Sequence, residues 1–405
     1  MPEKTAQVII VGAGISGLIA AKTLEEHGFW PVVVEASDSV GGRVKTSEIN
    51  GYALDHGFQV LLTAYPMAQK HLDYTALNLR YFRPGALLFG DNKKQLLGDP
   101  LRDGRALLPT LTSTAATLFD KWKIFRLTSA LKRKSLNALF SEPETTTLQY
   151  LKDYGFSNTV IKSFLRPFFA GIFLEPKLQT SSRMFEFVFK MFGEGSAAIP
   201  KTGIGAISNQ LKQQLQHTTF KFEQEVTQVK KGTLQLKNGE TLTADAIIST
   251  IPLTEEGTPD NSQKWKSCEN LYFEIEQGEL PENLIGLLTA DHLLANNINI
   301  HKVAGQEDLL SITVVKKHGL SDSQLEQQLR DELKSHCAIQ LGNLIHKFEI
   351  KKALPNTQDL SLLPKEIQKG DGLFMAGDYL ANGSLNAAMA SGEEAAKQAI
   401  AFLDQ

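Results

Sequence analysis

The residues of this chain whose types and spacing point to chemistry are Gly12, Gly14 and Gly17, the acid Glu35, and the triplet Gly41-Gly42-Arg43. The first three follow the pattern G-x-G-x-x-G. In that spacing one glycine permits a tight turn, the next lets backbone approach a pyrophosphate, and the last lets a helix pack close to a strand. Glu35 stands where a carboxylate accepts hydrogen bonds from an adenosine ribose. Ile15, Ser16 and Ala36 adjoin these positions and belong to the same expected contact set. Gly42 and Arg43 read as a second close backbone approach to an anionic ligand, with the guanidinium near its phosphates.

These residues need a strand–turn–helix–strand unit to hold them. Val8 to Val11 is a short apolar β-branched run and reads as a buried strand. Leu18 to His27 reads as a helix stopped by Gly28. Its N-terminus offers N–H groups and a positive dipole end to phosphate. Val32 to Val34 is the second strand, closed by Glu35. Lys4 ahead of an apolar run also mimics a signal peptide, but a cleaved segment has no use for three glycines at this spacing.

The bulk numbers exclude several classes. The chain has 405 residues, 42% hydrophobic and 21% charged, as in a soluble globular protein of more than one domain. A net charge of −3 does not favour nucleic acid. Two distant cysteines, Cys268 and Cys337, make neither a disulfide framework nor a metal motif, and they fit a reducing, cytoplasmic setting. No metal ligand set is expected. No apolar run is long enough for a transmembrane helix.

A second block follows, Gly51-Tyr-Ala-Leu-Asp55-His56-Gly57-Phe58-Gln59-Val60. The chain closes on Gly372-Leu-Phe-Met-Ala-Gly377-Asp378, a loop, and a helix through Ile400. With the glycine fingerprint, Glu35 and Gly41-Gly42-Arg43, these segments resemble the FAD-dependent amine oxidase superfamily. That group includes monoamine and polyamine oxidases, protoporphyrinogen oxidases and phytoene-desaturase-like enzymes. The resemblance implies an α/β fold, with a discontinuous Rossmann-type FAD-binding domain and a second α+β substrate domain. It implies that Gly57, Phe58 and Gln59 lie beside the flavin and that Val226 backbone groups meet the adenine edge. It further implies that Gly377 passes the pyrophosphate and that Asp378 accepts from ribityl hydroxyls. Ser384 and Leu385 would approach the flavin with backbone N–H groups, with Ala388 in the next turn. A helix starting near Ser384 aims a partial positive charge that suits an anionic reduced flavin. The FAD is expected to be non-covalent, because the closing motif has no cysteine.

The expected division places residues 1–64, 196–252 and 365–405 in the FAD domain, and 65–195 and 253–364 in the substrate domain. Leu101 to Ala116 reads as loop, and two helices follow at 118–127 and 131–140. Lys121, Lys123, Arg126, Lys132, Arg133 and Lys134 beside Trp122, Phe125 and Phe140 suit either a peripheral membrane helix pair or a basic solvated face. Balanced overall charge and the interruption at Thr128 and Ser129 favour the solvated face. Phenylalanines at 164–173 and 184–192 read either as core or as the lining of a pocket for a flat or long apolar substrate. Gly203 and Gly205 are not a second fingerprint, so one dinucleotide is expected and NAD(P)H is disfavoured.

The expected reaction is hydride removal from an apolar small molecule, phytoene-desaturase-like or protoporphyrinogen-oxidase-like, with oxygen or a quinone as acceptor. A flavin amine oxidase, a nicotinamide-dependent dehydrogenase, and a flavin-bound isomerase or binding protein without net turnover are the alternatives. His56 and Gln59 are the only catalytic candidates the sequence offers, and a lone histidine there is more often structural.

Overall fold

The computed structural model describes residues 6–90, 93–357 and 359–405, so Lys4 lies outside the described residues. The architecture is mixed α/β. A six-stranded sheet runs in the order Thr219–Lys221, Val32–Val34, Val8–Val11, Ala246–Ser249, Leu373–Met375, Gln368–Gly370. Its first five strands are parallel and the sixth is antiparallel. The central strand Val8–Val11 is buried along its whole length, as its unbroken apolar sequence requires of a parallel strand covered on both faces. Strands from the start, middle and end of the chain thus lie side by side. The helices Ile15–Glu26 and Leu385–Leu403 pack together on this sheet.

A second sheet has seven strands, ordered Gln340–Pro355, Trp265–Gln277, Leu309–Val314, Ala295–His301, Ile285–Leu288, Gly85–Gly90, Lys93–Gly98. All neighbours are antiparallel except Ile285–Leu288 with Gly85–Gly90. Helices between residues 104 and 194 form a separate layer. A three-stranded antiparallel sheet, Val226–Lys230, Thr233–Leu236 and Thr241–Thr243, covers the other face of Val8–Val11 with apolar side chains.

Several local expectations are corrected. The run Phe220 to Val229, whose composition predicts one strand, splits into Thr219–Lys221 and Val226–Lys230 in different sheets, with Glu223 at φ 58° between them. Leu101 to Ala116 is not all loop, because Leu107–Thr112 is helical; Pro109 falls in the first turn, where its missing N–H costs nothing. The two expected helices at 118–140 are one helix, Leu118–Arg133, followed by a short Leu136–Ser141. Thr128 does not interrupt it, since its Oγ1 donates to the Ile124 carbonyl at 2.9 Å and stays within the turn. The phenylalanines divide: Phe169, Phe173, Phe185 and Phe187 are fully buried core, while Phe164, Phe168, Phe189 and Phe192 are half-buried against it.

Candidate functional site

The fingerprint builds the turn its spacing calls for. Gly12 has φ 98°, and its N–H donates to the Val34 carbonyl at 2.8 Å. A Cβ on Gly17 would lie 2.0 Å from the Gly12 carbonyl oxygen, so helix Ile15–Glu26 reaches its strand only because residue 17 has no side chain. A Cβ on Gly14 would meet nothing within 4 Å, which makes that face of the turn bare backbone. The helix that follows has no side-chain cap. Thr117, Thr146, Ser181 and Ser321 each cap a helix elsewhere in the chain. An uncapped N-terminus on bare backbone is a ready cradle for phosphate.

Glu35 is oriented toward the same turn. Its Oε2 accepts from the Ala13 N–H at 2.7 Å, and its Oε1 accepts from the Ser37 N–H and Oγ, both at 2.8 Å. An ionised carboxylate offers about four lone-pair sites, so room remains for a ribose hydroxyl. Ala36 is exposed between half-buried Glu35 and Ser37. The N–H groups of Gln224 and Glu223 donate to the Glu35 and Ser37 carbonyls, which brings the approach to Val226 beside this acid.

The Gly41-Gly42 step docks on the fingerprint itself. The Gly41 N–H donates to the Ala13 carbonyl at 2.9 Å, and a Cβ on Gly42 would sit 3.3 Å from the Gly14 Cα. Arg43 then turns to the closing motif. Its Nη1 donates to Asp378 Oδ2 at 2.9 Å and its Nη2 to Asp378 Oδ1, a bidentate pair that fixes both groups. The guanidinium also lies 5.2 Å from the Trp265 ring centre, and Nη1 reaches the Ala353 carbonyl. Sequence reading gave Arg43 to phosphates and Asp378 to hydroxyls separately; the structure pairs them with each other.

The tail completes the arrangement. Gly377 has φ 142°, and a Cβ there would collide with Tyr379 at 2.2 Å. Its N–H donates to Ser391 Oγ at 2.9 Å. Buried Ser384 caps the helix Leu385–Leu403 by accepting from the Ala387 N–H at 3.0 Å. Leu385 is the first helical residue, so its N–H has no acceptor within the helix. Ser16 Oγ donates to the Ala388 carbonyl at 2.8 Å, and a Cβ on Gly392 would lie 2.2 Å from the Ser16 carbonyl oxygen. Ile15 is buried in the same core. Front and tail therefore touch at Ser16–Ala388 and again at Arg43–Asp378.

The Asp-x-Gly block flanks this arrangement and is tied to it by hydrogen bonds. Buried Asp55 accepts from Thr46 Oγ1 at 2.6 Å and the Ile204 N–H at 2.9 Å, and its backbone carbonyl accepts from Tyr272 OH at 2.8 Å. Burial pushes its carboxyl pKa up, opposed by His301, Thr46, Ile204 and Arg80. His56 Nε2 lies 2.8 Å from Ser47 Oγ, and the ring sits against Phe348. Burial, then Lys45 and His346, push its pKa down. Gln59 Nε2 donates to the Arg43 and His56 carbonyls at 2.7 and 3.0 Å, so this amide props the Gly-Gly-Arg loop. Gly57, at φ 88°, presses on Ile350, and Phe58 meets Phe82 edge-on at 5.9 Å.

Sequence reasoning missed Lys266, next to Trp265. Its Nζ donates to Thr180 Oγ1 at 2.9 Å, and burial, only partly offset by Glu175, pushes its pKa down. It also missed Ser391 and Gly392, whose roles depend on a helix nearly 400 residues away. Gly203 and Gly205 pack on Thr46 and Asp55. Cys268 and Cys337 are buried thiols, pushed up to about 12 by desolvation.

Known proteins bear on this geometry. Protoporphyrinogen oxidase 2 of Arabidopsis thaliana is 28% identical over 171 residues, 41% of this chain and 32% of that protein. The 15-cis-phytoene desaturase of Narcissus pseudonarcissus is 34% identical over 80 residues, 20% of this chain and 14% of that protein. The chain thus spans a third or less of the curated relatives' length in these alignments. In fold, it matches the fatty acid isomerase of P. acnes with TM-score 0.71 at 15% identity, covering 98% and 99% of the two chains. A sequence model described as flavin containing amine oxidoreductase matches residues 15–400, nearly the whole chain. By that match the chain belongs to the family of flavin containing amine oxidoreductases, FAD-dependent enzymes.

Proposed function

We propose that this chain is an FAD-dependent oxidoreductase that removes hydride from an apolar small molecule. The observation that carries the reading is the double junction of front and tail, Ser16 to Ala388 and Arg43 to Asp378. It supports a single elongated cleft running from the bare turn at Gly12–Gly14 to the N-terminus of Leu385–Leu403. The residues fit the cofactor. Gly14 leaves the backbone open to a pyrophosphate; Gly12, Ile15, Ser16, Gly17 and Gly42 shape the turn around it, and Gly377 lies at its far end. Glu35, Ala36 and Val226 serve the adenosine end. Arg43, Asp378, Gly57, Phe58, Gln59, Ser384, Leu385 and Ala388 serve the flavin end. When bound, FAD supplies the hydride acceptor.

The protein's own work is orientation, exclusion of water and electrostatics. Asp378, held by Arg43, presents fixed acceptor oxygens. The helix at Ser384 directs a positive dipole end to the cleft. Gln59 and His56 are positioning residues of the Gly-Gly-Arg loop. The half-buried Phe164, Phe168, Phe189 and Phe192 support an apolar, flat or long substrate, and Phe168 lies within 5.3 Å of the Phe192 ring centre. The sheets support a nucleotide domain from 1–64, 196–252 and 365–405 and a substrate domain from the rest.

Anaerobic mixing of the purified, flavin-loaded protein with a polyene, a porphyrinogen and a polyamine tests this. Bleaching of the flavin absorbance by one of the apolar compounds is expected. Bleaching by the polyamine alone, or by none, overturns it. Reoxidation by air or by an added quinone then identifies the acceptor.

A further inference from the structure

The helix Leu118–Arg133 is apolar on two opposite sides. At about 100° per residue, Asp120, Ile124, Leu127 and Leu131 share one side. Leu127 and Leu131 are buried there, and Ile124 is half-buried. This side packs on helix Ser182–Glu194, where Lys190 Nζ donates to the Leu131 carbonyl at 2.8 Å. The other side carries Leu118, Trp122 and Phe125, with Phe119 at its margin. These four are 71%, 50%, 54% and 62% exposed. A helix apolar all round is normally covered on all sides, yet this one is covered only on its inner side.

Charge frames the outward stripe. Lys121 and Lys132 fall on one flank of it, and Arg126 and Arg133 on the other. Arg126 lies 5.6 Å from the Trp122 ring centre and Lys123 4.4 Å from that of Phe119. Leu107, Leu108 and Leu111 on the preceding helix, 51%, 71% and 52% exposed, extend the apolar surface. Lys121 Nζ ties the two helices by donating to the Leu111 and Ser113 carbonyls at 3.2 and 3.1 Å. Residues 101–134 hold eight Lys or Arg and two Asp, in a chain of net charge −3. Neither acid answers the basic flanks. Asp120 is buried and bound by Thr117 and Ser157, and Asp103 is held by Arg83 and Arg105.

We propose that this surface docks on an anionic lipid membrane, with Leu118, Phe119, Trp122, Phe125, Leu108 and Leu111 entering the headgroup–acyl boundary. Arg126, Lys132 and Arg133 on the flanks pair with lipid phosphates, and their long side chains reach outward from the apolar stripe to do so. A second copy of the chain is a poor occupant, because a two-fold contact would set one basic rim against another. Among the described residues no helix is long and apolar enough to cross a membrane, so the contact is interfacial.

Flotation of the flavin-loaded full chain with vesicles of phosphatidylcholine and 30% phosphatidylglycerol tests the proposal, the vesicle composition being a choice of roughly physiological anionic charge. Binding is expected, with a blue shift of Trp122 fluorescence and loss of most of it at high salt. The triple variant F119S/W122S/F125S removes only exposed side chains, and should bind at least about tenfold more weakly with an unchanged flavin spectrum. A chain that floats with neither anionic nor pure phosphatidylcholine vesicles overturns the proposal. So does binding that the triple variant retains, or a wild-type dimer in solution that the variant converts to monomer. Binding by R126E/R133E as strong as the wild type overturns the role of the charged flanks.

Discussion

The junction of helices Ile15–Glu26 and Leu385–Leu403 and the packing of helix Ser182–Glu194 among the other helices of the 104–194 layer both bury helix against helix, but by opposite means. The first is built from absent side chains. Gly392 would put a Cβ 2.2 Å from the Ser16 carbonyl oxygen, and Ser16 Oγ donates to the Ala388 carbonyl and lies 3.4 Å from Ser391 Oγ. The second is built from bulk. Phe169 and Phe185 lie tilted against each other at 4.7 Å between ring centres, and Phe140 lies 5.6 Å from Phe187. Shape governs the first junction and volume the second. A cofactor cradle must fix backbone to within a fraction of an ångström, whereas an apolar layer only has to stay full.

The comparison breaks most readily at a large side chain in the bulk-built junction. Phe185→Ala should cost about 3–5 kcal/mol by leaving a cavity among Phe169, Phe189 and Tyr150. Phe185→Leu should cost less than about 1.5 kcal/mol, since it keeps most of the volume. Denaturant titration reads both. Flavin content per folded molecule should stay at the wild-type level in each, and a loss of flavin from Phe185→Leu would show that the two junctions are not separable.

Gly392→Ala adds one methyl group where there is only backbone to meet it. It should cost about 1–3 kcal/mol. Unlike the phenylalanine variants, it should lose flavin in proportion, because the displaced helix carries Ser384 and Asp378 moves with it. Comparing absorbance at the flavin band with protein content measures this. Full flavin in Gly392→Ala would break the claim that the small-residue contact sets the cleft.

Arg43→Lys sharpens the point within the cradle. Lysine keeps the charge but cannot make the bidentate pair with Asp378. Part of this guanidinium is exposed, so the stability loss should be only about 1 kcal/mol. Flavin retention should fall more than stability does. Equal retention of flavin in Arg43→Lys would mean that Asp378 does not need its orientation fixed.

The two regions also differ in how far sequence alone exposes them. Glycines at fixed spacing carry their own explanation, so the turn at Gly12–Gly17, the docking of Gly41-Gly42 and the strand at Leu373 were legible. Glu35 was legible as an acid facing the cleft, but not its bonds to Ala13 and Ser37. Local pattern cannot show partners hundreds of residues apart, so Arg43–Asp378 and Ser16–Ala388 were not legible. The contacts of His56 with Ser47 and Phe348 were not legible either, since Phe348 lies nearly 300 residues further along the chain. The basic and aromatic residues of Leu118–Arg133 were legible as either a membrane helix or a solvated face, but which of them point outward was not, because its two apolar stripes merge into one run in sequence. Gln340–Pro355, opposite Trp265–Gln277, was only half seen, since its many charged residues obscure a long exposed strand.

A last, smaller effect concerns how the closing helix is fastened to the segment after the Asp-x-Gly block. Glu393 is buried and accepts from Lys70 at 2.6 Å, Lys397 at 2.6 Å and His71 Nε2 at 2.9 Å. Burial alone would raise its pKa. The three donors outweigh burial and hold it down to about 2, below an ordinary glutamate value of 4.5. A carboxylate with a depressed folded pKa stabilises above the unfolded value, and that stability is lost as pH falls from 4.5 toward 2. Lys70 and Lys397 are largely exposed, so salt screens part of the effect. Glu393→Gln should therefore lower stability modestly at pH 7 and flatten the acid limb between those values. Thermal melts from pH 7 to pH 3 compare the two proteins. A variant with the same acid slope as the wild type would place the acid sensitivity elsewhere, with Asp120 the next carboxylate to test, since the hydroxyls and N–H groups of Thr117 and Ser157 hold its pKa down against burial. That outcome would move the pH response from the glycine-built junction to the bulk-built one.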